Sequence, residues 1–307
     1  MSSKKTRVPM KIYKTDRGTV YWSTVENFVN SRIAGRYKGK IQLLLTSPPF
    51  PLNRKKKYGN LRGIAYLKWL ASLGPAFRKL LAPGGSIVIE LGNAWEPGKP
   101  VMSTLALEAL LALKREGKFN LIQQFVVHNP ARLPSPAQWV NVERIRVKDS
   151  FTHIWWLAPS DRPYADNRSV LTPYSAAMRG LLKSKRYNSG PRPSEHRIGK
   201  RSFLKDNGGA IASNVLSFSN TSSNDIYQAY CRENNLKPHP ARMQRDVAAF
   251  FVKFLTRKGD TVLDPFAGSN TTGAVAENLQ RKWVSIEANR DYIRGSRGRF
   301  SKNSRRS

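Results

Sequence analysis

Cysteine is almost absent from this sequence: Cys231 is the one cysteine among 307 residues. A single cysteine excludes a disulfide within the chain and any metal site built from several cysteines. No apolar run approaches the eighteen or so residues that a membrane-spanning helix requires, so no membrane span is expected. The basic residues from Met1 to Arg7 have no apolar core of a secretory signal behind them. The single cysteine fits an intracellular protein without establishing one.

Acidic residues are also scarce, with 20 Asp and Glu against 53 Lys and Arg, which gives a formal net charge of +33. A polyanion is the natural partner of such a chain, because neutralising phosphates releases bound counterions. A chain that is merely basic is the alternative, since charge alone does not separate the two. Hydrophobic residues make up 40% of the sequence, enough for one large α/β domain or two small ones.

An apolar run from Ile41 to Leu45 predicts a buried strand, because it is too short for a typical helix and two prolines follow. Proline has no N–H to continue a central strand, so the strand must stop at Ser47. The turn Ser47-Pro48-Pro49-Phe50 then offers a hydroxyl, a carbonyl and an aromatic ring. These groups suit the binding of a flat, amine-bearing base by its edge and its face. A proline-rich surface turn is the alternative interpretation.

A second motif lies near the other end of the chain, where residues 261–273 predict a strand, a tight loop and the start of a helix. Gly268 permits a sharp turn and a close approach of the backbone to a ligand. The three residues after it, 269–271, are good helix N-caps. Ala274 stands where a phosphate-binding P-loop would have lysine, so that kind of loop is disfavoured.

A strand over 283–287 ends in the carboxylate of Glu287, roughly twenty residues after Gly268. In dinucleotide-binding folds an acid at about this spacing binds the ribose hydroxyls. An ordinary strand–helix–strand unit with a capped helix is the alternative.

Between the two motifs, strand and helix patterns alternate and predict a parallel sheet covered by helices. Residues 1–20 are polar and basic and predict partial disorder. The predicted helices are 25–36, 66–81 with a kink or restart at Gly74-Pro75, and 103–115, and the predicted strands are 86–91, 121–127 and 153–157. A further apolar helical face around Val247 to Leu255 leads into the second motif.

Two basic segments predict contacts with phosphates. Arg54, Lys55 and Lys56 follow the Ser47–Phe50 turn and are interpreted as part of a mobile phosphate clamp, with a solvated loop as the alternative. Residues 158–237 are rich in Pro, Ser, Asn and Gly, and helical periodicity is weak there. The cations of this second segment include Arg192, Arg197, Lys200 and Arg201. We interpret it as an insertion that lies on DNA, because basic loops can both hold phosphates and read bases.

The pair of motifs resembles that of methyltransferases acting on exocyclic amines of DNA bases, and serine in the first position resembles the cytosine-N4 group. Colinear matches to the β-class cytosine-N4 DNA methyltransferases extend over almost the whole chain. They include Lys205-Asp206-Asn207-Gly208-Gly209 and His239-Pro240-Ala241-Arg242. The resemblance implies a Rossmann-like α/β fold that is circularly permuted. Its catalytic half would be 1–159, its inserted target-recognition region 160–237 and its cofactor half 238–307.

The resemblance also implies roles for individual residues. The implied catalytic residues are Ser47, Pro48, Pro49 and Phe50. The implied S-adenosylmethionine site consists of Thr46, Asp264, Phe266, Gly268, Ser269, Asn270, Thr271, Thr272 and Glu287. The basic residues expected to bind DNA are Arg54, Lys55, Lys56, Arg192, Arg197, Lys200 and Arg201, and no metal is expected. The expected partner is double-stranded DNA, with a restriction endonuclease acting separately. The chain is expected to be a monomer in the cytoplasm or on the nucleoid.

Two positions depart from the family pattern. Tyr21-Trp22-Ser23-Thr24 stands where the family has Gly-Asp, and Gln244 stands where it has proline. Both lie in elements expected to wall the cofactor pocket.

The implied reaction is methyl transfer to a flipped-out cytosine, since duplex DNA hides the amino group. Hydrogen bonds from that amino group to Ser47 Oγ and the Pro48 carbonyl would favour its nucleophilic form, while Phe50 stacks on the base. Cytosine-C5 methylation is disfavoured, because its cysteine nucleophile typically follows proline and Cys231 follows Tyr230. A zinc deaminase would need a His/Cys cluster. Adenine-N6 methylation and a catalytically silent DNA-binding protein of the same fold are the remaining alternatives.

Overall fold

Residues 8–50, 61–218 and 225–300 are described by the structure, which is a computed structural model. In chain order the strands of these residues are β1 (Met10–Lys14), β2 (Gly18–Trp22), β3 (Ile41–Thr46), β4 (Leu81–Leu91), β5 (Asn120–His128), β6 (Phe151–Ala158), β7 (Gly190–Pro191), β8 (Arg197–Ile198), β9 (Val215–Ser217), β10 (Thr261–Asp264) and β11 (Lys282–Glu287). The helices are α1 (Val25–Val29), α2 (Arg32–Gly35), α3 (Gly63–Leu80), α4 (Leu105–Gly117), α5 (Ala176–Ser184), α6 (Ile226–Glu233), α7 (Arg245–Leu255), α8 (Thr271–Asn278) and α9 (Arg290–Ser296).

Nine of these strands form one sheet in the order β1-β2-β11-β10-β3-β4-β6-β5-β9. β3 therefore lies between β10, from the end of the chain, and β4, and it is parallel to both. The α/β class is confirmed, but the sheet is mixed rather than wholly parallel. β6 is antiparallel to β4 and to β5, because the chain reverses directly between β5 and β6 without a crossover helix.

Helices cover both faces of this sheet, as the alternating side chains of its strands require. Trp155 belongs to the hydrophobic cluster beneath α3 and α4, together with Tyr66 and Leu110. The next residue, Trp156, points the other way, and its ring meets Phe254 of α7 at 5.3 Å between centroids. The apolar residues of β3 are almost completely buried, which explains the continuous run Leu43-Leu44-Leu45.

The helix predicted over 66–81 is confirmed as α3, and it continues through Pro75 without a second start. The helix predicted over 25–36 is two short helices instead. Ser31 directly precedes α2, and its hydroxyl accepts a hydrogen bond from the Ala34 N–H at the start of that helix. A capping serine of this kind begins a new helix rather than continuing an old one.

The prediction of partial disorder over 1–20 is wrong for residues 10–20. β1 and β2 pair as an antiparallel hairpin, and β2 also pairs in parallel with β11. Gly18 fits this position because a Cβ there would lie 2.1 Å from the ring of Trp283. The hairpin pairs with β11, a strand from the far end of the chain. The residues of the hairpin itself do not indicate such a distant partner.

The described chain divides into two compact units, and Asp166–Ser213 is the smaller one. It contains α5 and a two-stranded hairpin of β7 and β8, in which Arg197 is opposite Pro191. This unit is narrower than the predicted region 160–237, because α6 packs against α9 in the larger unit. The larger unit consists of the residues up to Ala165 and from Asn214 onwards.

None of the helices that the structure describes combines the length and the hydropathy that crossing a membrane demands.

Candidate active site

The carboxyl ends of four neighbouring parallel strands meet at one edge of the large sheet, and a cavity of about 670 Å³ opens there. β2, β11, β10 and β3 end at Trp22, Glu287, Asp264 and Thr46. In open α/β sheets, ligands bind at this edge of the strands. The volume lies within the range of pockets that enclose a small organic ligand.

The Ser47–Phe50 turn lines this cavity along its whole length. It begins where β3 ends, and Thr46 Oγ1 donates a hydrogen bond to Asp264 Oδ1 at 2.8 Å. The ring of Phe50 lies against Gly92, where an added Cβ would come within 2.6 Å of it. Gly92 therefore leaves the space that the aromatic ring occupies at the edge of the cavity.

Glu287 and Gly268 also line the cavity and lie next to each other. The Gly268 N–H donates to Glu287 Oε2 at 2.7 Å, and the Asn289 N–H donates to Oε1 at 2.7 Å. Gly268 has a φ of +50°, a conformation that side chains disfavour. Burial raises the pKa of Glu287, and the nearby charge of Asp264 raises it further, whereas the two backbone donors lower it. Each carboxylate oxygen can accept more than one hydrogen bond, so both remain able to bind a hydroxyl.

Asp264 joins the two halves of the cavity. Its Oδ1 accepts from Thr46 and also from the backbone N–H of Phe266 at 3.1 Å, so it holds the end of β3 against the loop after β10. Burial raises the pKa of Asp264 to about 6, although these hydrogen bonds lower it. The next wall residue, Phe266, contacts the ring of Trp69 edge-on at 5.5 Å. Both rings line the cavity and give it an apolar side.

His239 forms another part of the wall, over Gly268. A Cβ on Gly268 would lie 3.1 Å from His239 Nε2, and Tyr292 packs edge-on against the imidazole at 4.4 Å. Burial lowers the pKa of His239 to about 4, so the ring is neutral at pH 7. The positive charge at this end of the cavity comes from Arg242, whose guanidinium pairs with Asp225 at 2.9 Å.

Comparison with known proteins identifies the family. Residues 41–297 match a family model described as DNA methylase. The chain is 41% identical over 297 residues to the type II methyltransferase M.PvuII of Proteus hauseri, an alignment that covers 95% of this chain and 86% of that relative. This chain belongs to the DNA methylase family. The predicted resemblance is therefore confirmed, and the chain is a methyltransferase that acts on DNA.

Solved structures agree with this assignment. The methylase is similar to the PvuII DNA methyltransferase, described as cytosine-N4-specific, with a TM-score of 0.75 and 35% identity over 95% of this chain and 89% of that one. The complex of M1.HpyAVI with SAM has a TM-score of 0.54 and 17% identity, over 92% of this chain and 99% of that one. The second likeness shows the fold alone.

Most of the residues predicted for the site are brought together in the methylase. The predicted residues that line the cavity are Ser47, Pro48, Pro49, Phe50, Asp264, Phe266, Gly268, Ser269, Thr271, Thr272 and Glu287. Thr46 and Asn270 lie behind the wall instead. Asn270 does not cap α8 with its side chain: its amide oxygen accepts from Ser285 Oγ at 2.7 Å, and its amide nitrogen donates to Tyr13.

The predicted DNA contacts belong to two segments of the chain. Arg54, Lys55 and Lys56 are outside the described residues of the methylase. Arg192 and Arg197 belong to the β7–β8 hairpin of the smaller unit, and Lys200 and Arg201 follow it. Of these four, Arg197, Lys200 and Arg201 are exposed, while Arg192 is half-buried and donates to the Asn188 carbonyl at 2.8 Å.

Two departures from the family pattern have different consequences. Ser23 and Thr24 line the cavity, and Thr24 also caps α1 by accepting from the Asn27 N–H at 3.3 Å. Gln244 precedes α7 and does not line the cavity, whereas its neighbour Met243 does.

Glu90 is an acid beside the site that the sequence interpretation missed. It stands on β4, beside the catalytic turn, because Ile89 is in register with Thr46. Burial raises the pKa of Glu90 to about 7, and a side-chain hydrogen bond from Ser47 and the charge of Arg132 lower it. The signal was a single acid within the apolar run of residues 87–91, next in order to the strand that carries Ser47. An acid in such a strand needs a partner.

Proposed function

We propose that this methylase transfers a methyl group from S-adenosylmethionine to the N4 amino group of a cytosine in duplex DNA. The observation that carries the proposal is the shared cavity, in which the Ser47–Phe50 turn faces the same space as Gly268 and Glu287. The order of the parts supports a permuted Rossmann-like arrangement. The catalytic strand β3 precedes the cofactor strand β10 in the chain although the two are neighbours in the sheet.

The residues of the cavity fit S-adenosylmethionine. Glu287 presents a carboxylate for the ribose hydroxyls, the backbone of Gly268 permits close approach, and the ring of Phe266 offers an apolar surface to the adenine. When bound, this cofactor supplies an activated sulfonium methyl group. The neutral His239 and the paired Arg242 complete the wall, so the pocket has separate apolar and polar sides. Such a division fixes the orientation of an elongated ligand.

The Ser47–Phe50 turn would hold the flipped-out cytosine. The amino N–H groups of the base donate to Ser47 Oγ and to the Pro48 carbonyl, which carries no competing N–H on its own residue. Phe50 stacks on the face of the base, a contact worth roughly 1–3 kcal/mol. Together these contacts set the amino nitrogen for in-line attack, and positioning of this kind is a major source of rate acceleration.

Glu90 acts through Ser47 as a positioning residue. When the Ser47 hydroxyl donates to the Glu90 carboxylate, the lone pairs of Oγ are free to accept from the base. With a pKa raised to about 7, the same carboxyl can take up a proton once methylation has made the amino group acidic. Glu90 thereby provides a proton acceptor in a site where serine alone would be a poor base.

Adenine-N6 methylation is the second candidate. The family model is named for N6 and N4 enzymes together, and the two reactions use similar turns. Ser47 at the head of the turn and the 41% identity to M.PvuII favour cytosine. A silent DNA-binding protein is disfavoured, because Ser47 to Phe50, Gly268 and Glu287 all line one cavity.

The deciding experiment is methylation of mixed-sequence DNA with labelled S-adenosylmethionine, followed by nucleoside mass analysis and mapping of the modified sites. N4-methylcytosine is the expected product, and N6-methyladenine alone would overturn the assignment. Ser47→Ala should lower the rate on the order of a hundredfold, the scale of one well-placed transition-state hydrogen bond. Ser72→Ala, at an exposed serine of α3, is the matched control and should leave the rate unchanged.

We further propose that the methylase acts as a monomer in the cytoplasm or on the nucleoid, beside a separate restriction endonuclease. The net charge of +33 supports a lasting association with DNA, and the type II name of the relative supports a paired nuclease. The smaller unit, with its exposed cations Arg197, Lys200 and Arg201, is proposed as the part that recognises the target. Sedimentation of the purified chain tests the monomer, and two molecules per particle would contradict it.

A further inference from the structure

The connection between β5 and β6 lies at the same edge of the sheet as the Ser47–Phe50 turn. β4 is parallel to β3, so both end at that edge. β6 is antiparallel to β4 and β5 is antiparallel to β6, so β5 ends and β6 begins there as well. We call residues 129–150 the β5–β6 loop. Neither of the basic segments singled out in the sequence includes it.

Hydrogen bonds hold this loop in a defined shape. Lys148 Nζ donates to the carbonyls of Pro130 and Arg132 at 3.2 and 3.3 Å, so the two ends of the loop are joined. Trp95 Nε1 donates to Asp149 Oδ2 at 3.1 Å, and Arg146 Nε donates to the Pro100 carbonyl at 3.1 Å. The last two bonds fasten the β5–β6 loop to the segment that follows β4, which begins at Gly92 beneath Phe50.

The loop nevertheless exposes large apolar side chains. Leu133 is 80% exposed, Val147 is 87% exposed and Val142 is 69% exposed. Exposed apolar residues grouped on an ordered loop commonly mark a contact with a partner. The cations of the same loop are Arg132, Arg144, Arg146 and Lys148. Its acids, Glu143 and Asp149, accept hydrogen bonds from Gln138 and Trp95.

A loop that exposes apolar side chains next to cations in the sequence is complementary to duplex DNA, which has an anionic backbone and an apolar base stack. The position of the loop supports this partner. Arg132 Nη1 donates to the Phe151 carbonyl at 3.1 Å, which ties the residue before Leu133 to the first residue of β6, at the edge of the sheet where β3 and β4 end. Leu133 thus follows a side chain bound to the sheet itself, whereas the Arg146 side chain before Val147 donates to the Pro100 carbonyl outside it.

We propose that the β5–β6 loop lies against the DNA around the target base, and that Leu133 enters the base stack at the position that the flipped cytosine leaves. The inference rests on the proposed methyl transfer to a flipped-out base. Apolar side chains are known to insert between base steps and to compensate for lost stacking. Because flipping a paired base is costly, a side chain that fills the gap favours the extrahelical state.

The test compares Leu133→Ala with Leu111→Ala, since Leu111 is a 53% exposed leucine on α4. Each variant is given the mapped target duplex and the same duplex with a mismatch opposite the target cytosine, which lowers the cost of flipping. Single-turnover methylation and equilibrium binding by fluorescence anisotropy are measured on both. Leu133→Ala should lower the methylation rate and the affinity about tenfold on the paired duplex and less than twofold on the mismatched one. Leu111→Ala should match the unchanged chain on both.

Several results would overturn the inference: equal losses on the two duplexes, no loss on either, or a lower unfolding temperature for Leu133→Ala. The last would place the side chain inside the folded chain. If the unchanged chain transfers no methyl group, the proposed function has failed. The loop is then judged by binding alone, on duplexes of any sequence with and without one central mismatched cytosine, where the same difference between the variants is expected.

The cations of the loop give an independent readout. Arg144→Gln, at an exposed position, should weaken binding to every duplex and reduce the slope of log affinity against log salt by about one unit. Arg115→Gln, at an exposed position of α4, is the matched control and should leave the slope unchanged. If the slope for Arg144→Gln equals that of the control, Arg144 does not contact the DNA phosphates and the proposed placement of the loop is contradicted.

Discussion

At the scale of single residues, three carboxyl groups in or beside the cavity have raised pKa values. Asp264, Glu287 and Glu90 stand on three different strands, and burial raises the pKa of each. Their hydrogen bonds differ: Asp264 joins the end of β3 to the loop after β10, Glu287 accepts from the backbone N–H groups of Gly268 and Asn289, and Glu90 is proposed to orient Ser47. Asp264 and Glu287 line the cavity, and Glu90 lies on the strand beside the Ser47–Phe50 turn. Carboxyls with perturbed pKa values in and near a cleft are typical of functional sites.

Glu90 should make stability depend on pH. Its pKa of about 7 exceeds the ordinary 4.5, so the folded chain binds this proton more tightly than the unfolded chain does. That contribution is complete below pH 4.5 and is lost as the pH rises through 7. Relative to Glu90→Gln, the unchanged chain should therefore lose on the order of 3 kcal/mol of unfolding free energy between pH 4.5 and 8. Urea unfolding at both pH values measures it.

Glu116→Gln, at an exposed acid of α4, provides the control for that series and should follow the unchanged chain at both pH values. A second readout is the rate of methylation. In the unchanged chain the rate should rise with pH through about 7, as the Glu90 carboxylate forms, and Glu90→Gln should lack that rise. Parallel pH profiles for the two chains would exclude Glu90 from the positioning of Ser47.

Removal of the Glu287 carboxylate should weaken cofactor binding tenfold or more. Glu287→Ala leaves the ribose hydroxyls without a charged acceptor and releases the N–H groups of Gly268 and Asn289. Hydrogen bonds to charged groups contribute about 1.5–3 kcal/mol. Isothermal titration with S-adenosylmethionine measures the change, and Glu116→Ala is the control. An affinity equal to that of the control would show that Glu287 is not the ribose ligand.

The cavity-lining residues that sequence analysis could identify are those that stand in short contiguous motifs. Ser47 to Phe50 and the segment 264–272 are two such motifs. The strand between Ile41 and Leu45 was predictable from its apolar run, which the structure buries. Glu90 and Gly92 were missed because their roles depend on neighbours in space: one on the register of β4 with β3, the other on the ring of Phe50. Asn270 suits a cap by type, but the hydroxyls of Ser285 and Tyr13 engage its side chain instead.

At the scale of elements, local periodicity predicted the long helices and failed where pairing is distant. α3 and α7 present apolar faces of regular spacing, and both were expected. The β1–β2 hairpin depends on β11, and the antiparallel β6 depends on the reversal through the β5–β6 loop. Neither the partner of a strand nor its direction is contained in the alternation of its own residues.

The β7–β8 hairpin is the element on which target recognition is predicted to depend. Neutralising Arg192 and Arg197 together should lose more affinity on the cognate duplex than on a scrambled one, since base contacts carry specificity. Arg197→Gln alone is the cleaner change, because Arg192 also donates to the Asn188 carbonyl within its own unit. Binding is measured across a salt series on both duplexes.

The matched comparison neutralises Lys55 and Lys56. If these contact phosphates, affinity should fall equally on both duplexes and the salt slope should become shallower by about one unit for each contact removed. Loss of affinity by the hairpin variants without any change in discrimination would move sequence reading to another part of the region between 160 and 237.

At the scale of the whole molecule, the large sheet is assembled from both ends of the chain. β2 and β3 come from its first fifty residues, while β10 and β11 come from its last fifty, and all four share the edge that bounds the cavity. The α/β class could be predicted from alternating elements, whereas the order of a catalytic half and a cofactor half stays a prediction. The compact unit Asp166–Ser213 lies within the basic segment 158–237, whose composition does not show that α6 packs against α9 in the larger unit.

The adjacency of β3 and β10 also has a consequence for biosynthesis. A ribosome releases the amino-terminal half first, and contacts between segments so far apart in sequence form late. Until β10 emerges, the buried leucines of β3 have no neighbour along one edge, and an interrupted chain exposes a strand edge of the kind that aggregates. Basic residues translated early could already hold the unfinished chain near nucleic acid. Methylation competence is therefore acquired only after β10 has been translated rather than gradually along the chain.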